Sequence, residues 1–176
     1  MEKWMVAAKR ADFKEIGERF GIDQVTARII RNRDVIGEEA IEKYLHGSRK
    51  DFYSPWLLKD MEKAVAILQE KITNKNKIRI IGDYDIDGVM STYILLVSLR
   101  GLGADADMVI PNRIMDGYGI NEHLIEQAWE DKRDTIITCD NGIAAATQIQ
   151  KAKDLGMTVI VTDHHEVPFE ETENGR

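Results

Sequence analysis

The sequence predicts an α/β fold, a doubly wound parallel sheet preceded by an N-terminal helical region. In the first part of the chain, apolar residues recur every three or four positions, as on one face of a helix. From residue 77 onward, short β-branched runs alternate with helical stretches, which is the pattern of βαβ units in a parallel sheet. The predicted domains are therefore a helical cap over residues 1–75 and an α/β domain over residues 76–176.

Four helices are predicted in the first domain, over residues 11–20, 24–32, 38–45 and 59–71. Two of them are followed by glycine, the usual residue after a helix C-terminus. The segment FYSPWLL (residues 52–58) carries Pro55 and three aromatic residues, and we expect it to be a loop fixed in a core. A helix-turn-helix that reads DNA is one interpretation of this domain. A helical cap packed on the neighbouring domain is the preferred one.

The second domain alternates strands and helices in a regular order. The predicted strands cover residues 77–81, 106–111, 134–142 and 157–165. The predicted helices between them cover residues 88–100, 121–130 and 143–153. Residues 168–176 have no apolar pattern and are predicted to be a loop. Right-handed crossovers would place all four strands parallel in one sheet.

The balance of charge differs between the two parts of the chain. With 31 acidic and 24 basic residues the net charge is −7, which argues against nucleic acid as a partner. Residues 1–79, however, hold 17 basic and 13 acidic residues, a net of +4, and the remainder a net of −11. This asymmetry indicates either two functional regions or a concentrated acidic site.

Composition also excludes several classes of protein. A single cysteine, Cys139, allows no internal disulfide and no cysteine-rich zinc site, and we expect it to pack as a small buried hydrophobe. There is no apolar run of the roughly 20 residues needed for a membrane span, and no signal-peptide core. We therefore expect a cytoplasmic protein without a membrane partner.

Ionisable residues follow three of the predicted strands. They are Asp83, Asp85 and Asp87 after the first strand, Asp140 after the third, and Asp163, His164 and His165 after the fourth. Because the carboxyl ends of parallel strands meet at one edge, we expect these residues to share a rim. Carboxylates that lie so close together repel one another unless they are protonated or bind a cation. Asp oxygens with His nitrogens suit Mn²⁺ or Mg²⁺, with Zn²⁺ or Co²⁺ as alternatives.

Single residues of this set also have other interpretations. Asp87 or Asp140 alone could be a helix N-cap. The DYDID spacing is similar to the start of a calcium-binding loop, but it follows a buried strand. The twelfth position of that loop, where a glutamate is needed, is Ile94. Three strand ends that carry such residues together favour the metal site.

The segments GDYDIDG, CDNG and DHH, in this order, resemble the DHH phosphoesterase superfamily. The segments PNRIMDGYGIN and FYSPWLLKDM resemble its exonucleases specific for single-stranded DNA, and the likeness covers residues 50–168 well. The resemblance implies hydrolysis by two divalent ions, Mn²⁺ or Mg²⁺, and 5′-to-3′ removal of nucleotides in recombination and repair. It also implies a single-strand-binding protein and a helicase as partners, and we expect a monomer.

The resemblance further implies a role for each site residue. Asp85, Asp87, Asp140 and His164 would be metal ligands, with Asp87 or Asp140 bridging the two ions. His165 would contact the scissile phosphate, and Asp83 and Asp163 would act beside the ligands. Arg113 could bind a backbone phosphate or form a surface salt bridge. Tyr118 could stack on a base or fill the core of its loop.

The family also supplies a further metal-binding Asp and an accessory domain downstream, and this chain ends at Arg176 before either. We therefore expect an N-terminal fragment with little or no activity. One rival is a DHH phosphoesterase acting on short oligonucleotides, cyclic dinucleotides or pyrophosphate. A non-catalytic scaffold is a second rival, disfavoured by the intact Asp and His residues. A receiver domain would not need two adjacent histidines at a strand end.

Overall fold

The computed structural model describes residue 3 and residues 9–168, so the predicted loop at 168–176 lies outside the described residues from residue 169 on. The chain divides into two units, Met1–Leu57 and Leu58–Arg176. In the described part of the chain, no helix is both long and apolar enough to cross a membrane.

The first unit contains three helices whose ends are set by capping residues. They are α1 (Phe13–Phe20), α2 (Gln24–Asn32) and α3 (Glu38–His46), within two residues of the predicted ranges. Asp12 Oδ1 accepts a hydrogen bond from the backbone N–H of Glu15 at 2.9 Å and so caps α1. Gly21, with φ 65°, ends the same helix in the left-handed conformation that glycine adopts without strain.

The prediction that residues 52–58 are fixed in a core is wrong, because their side chains are exposed. Phe52 and Tyr53 are 80% and 81% exposed. The only regular structure in this segment is a short 3₁₀ helix, Pro55–Leu57. Since the apolar residues are consecutive and not spaced along one face of a helix or strand, they present no single face to a core.

The second unit confirms the predicted α/β fold. Its elements are α4 (Met61–Thr73), β1 (Lys77–Ile81), α5 (Ile86–Gly101), β2 (Asp105–Val109), α6 (Glu122–Glu130), β3 (Thr135–Cys139), α7 (Ala146–Asp154) and β4 (Thr158–Thr162). The strands are all parallel, in the order β2-β1-β3-β4. The chain leaves β1 toward one edge of the sheet and β3 toward the other. Such a switch point opens a crevice at the carboxyl ends of the two central strands.

Apolar side chains on both faces of the sheet explain the two layers of helices. Ile80 and Ile137 pack on the face covered by α4 and α5, and Ile81 and Ile136 pack on the face covered by α6 and α7. Cys139 is buried in the first of these clusters, as expected. Helix α4, which the sequence prediction grouped with the helical domain, contributes four side chains to the same cluster: Ala64, Ile67, Leu68 and Ile72.

A buried arginine on β1 links strand β2 to the end of helix α6. Arg79 on β1, whose side chain is 8% exposed, lies 2.6 Å from Asp107 on β2 and 2.8 Å from Asp131 after α6. A second hydrogen bond, from Arg79 Nε to Asp107 Oδ1 at 3.0 Å, makes the contact bidentate. Because its buried guanidinium joins β1 to β2 and to the end of α6, we expect this residue to stabilise the sheet.

We expect Arg79→Ala to lower the free energy of unfolding by about 2 kcal/mol, because it removes a charged bidentate contact to Asp107, while Arg133, 2.7 Å from the same carboxylate, remains. Urea denaturation followed by circular dichroism measures the change. Lys14→Ala is the control: its partner is the exposed Glu18, 3.8 Å away, and its loss should stay below about 0.5 kcal/mol. If both variants lose equally little, the Arg79 network does not stabilise the sheet.

Candidate metal centre

The segment after β1 carries the first two carboxylates of the site. Asp83 is 1% exposed, whereas Asp85 is exposed and forms the N-cap of α5. Asp85 Oδ1 accepts a hydrogen bond from the backbone N–H of Gly88 at 3.0 Å. Asp83 and Asp85 therefore lie in the short segment between the end of β1 at Ile81 and the start of α5 at Ile86.

Asp140 follows β3 in an unusual backbone conformation. Its φ of 61° lies in the left-handed region, which Asp and Asn adopt more readily than other residues with a side chain. Its backbone N–H donates to the carbonyl of Thr162 at 3.0 Å, which ties the end of β3 to the end of β4. The residue is 8% exposed, so its carboxylate is held at the switch point with little freedom.

Asp163 holds the two histidines that follow β4. One of its oxygens accepts a hydrogen bond from the backbone N–H of Ile143 at 2.9 Å. The other accepts from the backbone N–H groups of His164 at 2.8 Å and His165 at 3.1 Å, and lies 2.7 Å from Nδ1 of His165. Asp163 is therefore fully engaged in positioning the histidines and the loop before α7.

The carboxylates and imidazoles converge in two overlapping groups. Asp83, Asp85 and Asp140 form one, and Asp140, His164 and His165 the other; in each, one ligand atom per residue lies within 4.8 Å of the rest. Nε2 of His164 is 2.7 Å from Asp140 Oδ1. Residues from the ends of β1, β3 and β4 thus share one rim, as the sequence predicts.

Asp87, which the resemblance implies to be a ligand, belongs to neither group among the described residues. It is exposed in the first turn of α5. Asp83, in the segment between β1 and α5, belongs to one of the two groups instead.

Two buried oxygen atoms of this site test whether it fits a cation. Asp83 Oδ1 is buried and receives no hydrogen bond from the described residues, whereas the buried Asp140 Oδ1 lies 2.7 Å from Nε2 of His164. A buried carboxylate oxygen without a donor is costly, and a divalent cation would compensate Asp83 Oδ1 and balance the charge of Asp140 beside it. Carboxylate oxygens together with imidazole nitrogen are ligands that Mn²⁺ accepts, and Mg²⁺ accepts the carboxylates. The residues present therefore fit a divalent ion.

The pKa values of two neighbouring carboxyl groups in the site are shifted in opposite directions. Burial raises the pKa of Asp140, and the charge of Asp85 raises it further, while His164 opposes both effects. The hydrogen bond from the backbone N–H of Gly88 is the main cause that lowers the pKa of Asp85. Asp85 is thus the more readily ionised of the pair, and a bound cation would favour the ionised form of Asp140.

Tyr118 lies against the two metal-site groups. Its hydroxyl donates to the carbonyl of Asp140 at 2.8 Å and lies 3.4 Å from each ring nitrogen of His165. Burial, followed by the charges of nearby carboxylates, raises the pKa of Tyr118 to about 12. Tyr118 is consequently a neutral hydrogen-bond donor at the edge of the site.

Arg113 lies near Tyr118 because both contact Tyr84, an aromatic residue that the sequence analysis did not propose for the site. The ring of Tyr84 lies 6.3 Å from that of Tyr118, edge to face, and 5.2 Å from the guanidinium carbon of Arg113. Both residues expected to contact substrate therefore flank one side chain. The only sequence signal for Tyr84 is its place between Asp83 and Asp85.

A cavity of about 390 Å³ adjoins the site on the side of the α7 loop. Its lining includes Tyr118, Asp163 and His165, together with Gly142 and Ile143 of the loop before α7. A substrate group that enters this space would therefore touch His165 directly.

A parallel sheet with aspartates and paired histidines at its carboxyl edge is the frame of the DHH family, and residues 77–175 match the model of the DHH family, N-terminal domain. The chain belongs to this family. It is 38% identical over 165 residues to the single-stranded-DNA-specific exonuclease RecJ of Bacillus subtilis (strain 168), covering 93% of this chain and 21% of the relative. Its identity to RecJ of Escherichia coli (strain K12) is 36% over 140 residues, covering 78% of this chain and 23% of that relative.

Solved structures agree with this membership. A crystal structure of exonuclease RecJ bound to manganese superposes with a TM-score of 0.60 at 37% identity, covering 64% of this chain and 29% of that one. RecJ from Thermus thermophilus in complex with Mn²⁺ gives 0.58 at 30% identity, covering 73% of this chain and 19% of that one. The resemblance stated from the motifs is confirmed. The chain spans about a fifth of the length of its curated relatives.

The contact between His165 and Asp163 predicts a pH dependence in the metal-free protein. The hydrogen bond to Asp163 raises the pKa of His165 above its ordinary value. Protonated His165 therefore contributes stability that is fully present below the unfolded pKa and is lost as pH rises through the folded one. An NMR titration of the His165 ring should show a midpoint above about 6.5. Asp163→Asn should return it toward that value, and an ordinary midpoint in the unaltered protein would contradict the contact.

Proposed function

We propose that this chain forms the metal-binding part of a phosphodiesterase that removes nucleotides from the 5′ end of single-stranded DNA in recombination and repair. The observation that carries the proposal is the convergence of Asp83, Asp85, Asp140 and His164, in which the buried Asp83 Oδ1 has no donor among the described residues. The exonucleases that share this family and up to 38% of the sequence support the substrate class.

In this proposal Asp83, Asp85, Asp140 and His164 hold Mn²⁺ or Mg²⁺, and Asp140, which belongs to both groups, is the candidate bridging ligand. A bound divalent ion lowers the pKa of a water molecule and neutralises charge on the phosphate. It would also reverse the local charge of an acidic rim, which explains how a chain with a net charge of −7 could admit DNA.

His165 is the candidate proton donor of the reaction. Asp163 holds its ring at 2.7 Å and favours the protonated form. Hydrolysis adds water across the bond between phosphorus and the 3′ oxygen of the terminal nucleotide. The leaving 3′ oxygen then needs a proton, which His165 could supply, or His165 could donate a hydrogen bond to a phosphate oxygen.

Arg113 and Tyr118 are the candidate contacts to the strand. Arg113 is exposed, and its contact among the described residues is the ring of Tyr84 and not a carboxylate, so its guanidinium can still receive a phosphate. Tyr118 is half exposed at the edge of the site, where a base could stack on it without regard to sequence.

The decisive experiment uses the full natural protein that carries this sequence, Mn²⁺, and single-stranded DNA labelled at either end. We expect nucleotides to be released from the 5′ end, and Asp85→Ala and His164→Ala to lose at least about 100-fold in rate, since each removes a ligand. Asp154→Ala, an exposed residue remote from the site, is the control. Activity that survives both ligand substitutions would overturn the site.

Two further arms sharpen the assignment. Equal or faster cleavage of dinucleotides, cyclic dinucleotides or pyrophosphate would favour the smaller-substrate alternative over single-stranded DNA. Comparing Asp83→Ala with Asp87→Ala decides the ligand set. Asp83→Ala should lose more affinity for manganese than Asp87→Ala, and the reverse result would make Asp87 the ligand.

The substrate suggests where the protein acts and with which partners. Single-stranded DNA is produced by helicases and covered by single-strand-binding protein, so both are proposed partners of a cytoplasmic enzyme. We further propose that it acts as a monomer, which light scattering on the eluting protein would test.

A further inference from the structure

Asn141 is a fully buried polar residue next to the candidate metal centre. It is 0% exposed, and its amide group makes three hydrogen bonds. Its Nδ2 donates to the carbonyls of Ile81 at 3.1 Å and Cys139 at 2.8 Å, while its Oδ1 accepts from the backbone N–H of Ile120 at 3.0 Å. Both the nitrogen and the oxygen of the amide are therefore hydrogen-bonded to the backbone.

These three partners belong to the three segments that build the site. Ile81 ends β1 two residues before Asp83, and Cys139 ends β3 directly before Asp140. The ladder between β1 and β3 has its last pair at Ile81 and Thr138. Asp83 and Asp140 thus lie beyond the ladder, where Asn141 provides the link between the two strands.

The third partner connects the metal centre to the loop of Tyr118. Ile120 follows Tyr118 by two residues, and Gly119 between them has φ +65°. A Cβ at Gly119 would lie 2.8 Å from the Cβ of Asn141, so the loop packs directly on this side chain. The hydroxyl of Tyr118 then reaches the carbonyl of Asp140.

We propose that Asn141 is a positioning residue that fixes the spacing of Asp83 and Asp140 for one cation and sets Tyr118 at its edge. A carboxamide suits this position because it offers two donors and an acceptor on one plane. Asp or Leu of similar size lacks the paired donors that the two carbonyls require. The role rests on the metal site of the proposed function.

The first test measures hydrogen exchange of the Ile120 amide by NMR in the metal-free chain, and it needs no cation. Asn141→Leu removes the acceptor of that N–H and should speed its exchange at least about tenfold. Leu99→Ala, a cavity in the core on the far part of α5, is the control that lowers stability without touching the amide. Equal exchange of Ile120 in the two variants would overturn the link to the Tyr118 loop.

The second test measures the affinity for Mn²⁺ by calorimetry, at a temperature where every variant is folded. Substitution of a residue that orients ligands weakens metal binding by about 10- to 100-fold. We expect that loss for Asn141→Leu and less than about twofold for Leu99→Ala. Asn141→Ser, which keeps a small polar group, replaces Leu if that variant does not fold, and the same loss is expected.

The outcomes separate this proposal from the one on which it rests. An unaltered chain that binds no Mn²⁺ would overturn the proposed function itself. An unaltered chain that binds Mn²⁺, with a folded Asn141 variant of equal affinity, would overturn only the positioning role.

Discussion

Asp140→Asn is expected to abolish manganese binding, and with it the proposed exonuclease activity of the full protein, while it raises the melting temperature of the metal-free chain. Asp140 belongs to both groups of candidate ligands, so its loss affects every cation bound there. Burial and the charge of Asp85 raise the pKa of Asp140, which means that the fold disfavours its ionised form. At neutral pH an uncharged amide removes that cost, and Asn tolerates the left-handed backbone at this position as well as Asp does.

The sign of the stability effect depends on pH. A carboxyl group whose pKa is raised by folding costs stability above its folded pKa, and the cost disappears as pH falls below the unfolded value. The gain from Asp140→Asn should therefore be present at neutral pH and vanish as pH falls below about 3.9. Thermal denaturation on both sides of that value, with and without Mn²⁺, measures it. We expect the metal to stabilise the unaltered chain only.

Asp154→Asn removes the same charge from an exposed position outside the site and is the matched control. It should leave manganese binding unchanged and move the melting temperature little. A metal-free Asp140→Asn protein less stable than the unaltered one would show that the carboxylate serves the fold more than it serves a cation.

The spacing of apolar residues predicts most of this fold, because the burial of one or both faces of each element determines that spacing. Strand β3, with five consecutive buried residues, reads as a continuous apolar run only because helices cover both faces of the sheet. The rim was predictable for the same reason: once the strands are parallel, Asp140 and His164 must meet at one edge.

Details that depend on where one element ends were not predictable. The choice between Asp83 and Asp87 depends on α5 beginning at Ile86, and no periodicity marks that turn. The contacts of Asn141 join residues 60 positions apart, which a sequence pattern cannot reveal. The exposed segment at residues 52–58 has the apolar composition of a core but no single face to bury. Its composition therefore led to the wrong prediction of burial.

Gly88→Ala is expected to damage both stability and the metal centre, because the first turn of α5 lies directly against the backbone of Asp83. A Cβ at Gly88 would lie 2.6 Å from the carbonyl oxygen and 2.7 Å from the Cα of Asp83. Backbone cannot rotate aside as a side chain can, so either the helix or Asp83 must move. We expect a loss of about 3 kcal/mol in the free energy of unfolding, at the upper end for overpacking. Manganese affinity should fall about 10- to 100-fold as the ligand shifts.

The matched control lies in the same helix. Gly101 ends α5, has ordinary backbone and no atom within 4 Å of an added Cβ, so Gly101→Ala should raise stability by up to about 1 kcal/mol. Urea denaturation and manganese calorimetry on both variants separate the effects of helix propensity and of the clash. If Gly88→Ala behaves like Gly101→Ala, the close approach of α5 to Asp83 does not exist in solution. If it loses stability but keeps its affinity for manganese, the start of α5 has moved and Asp83 has not, and the expected effect of the clash on the metal centre is wrong.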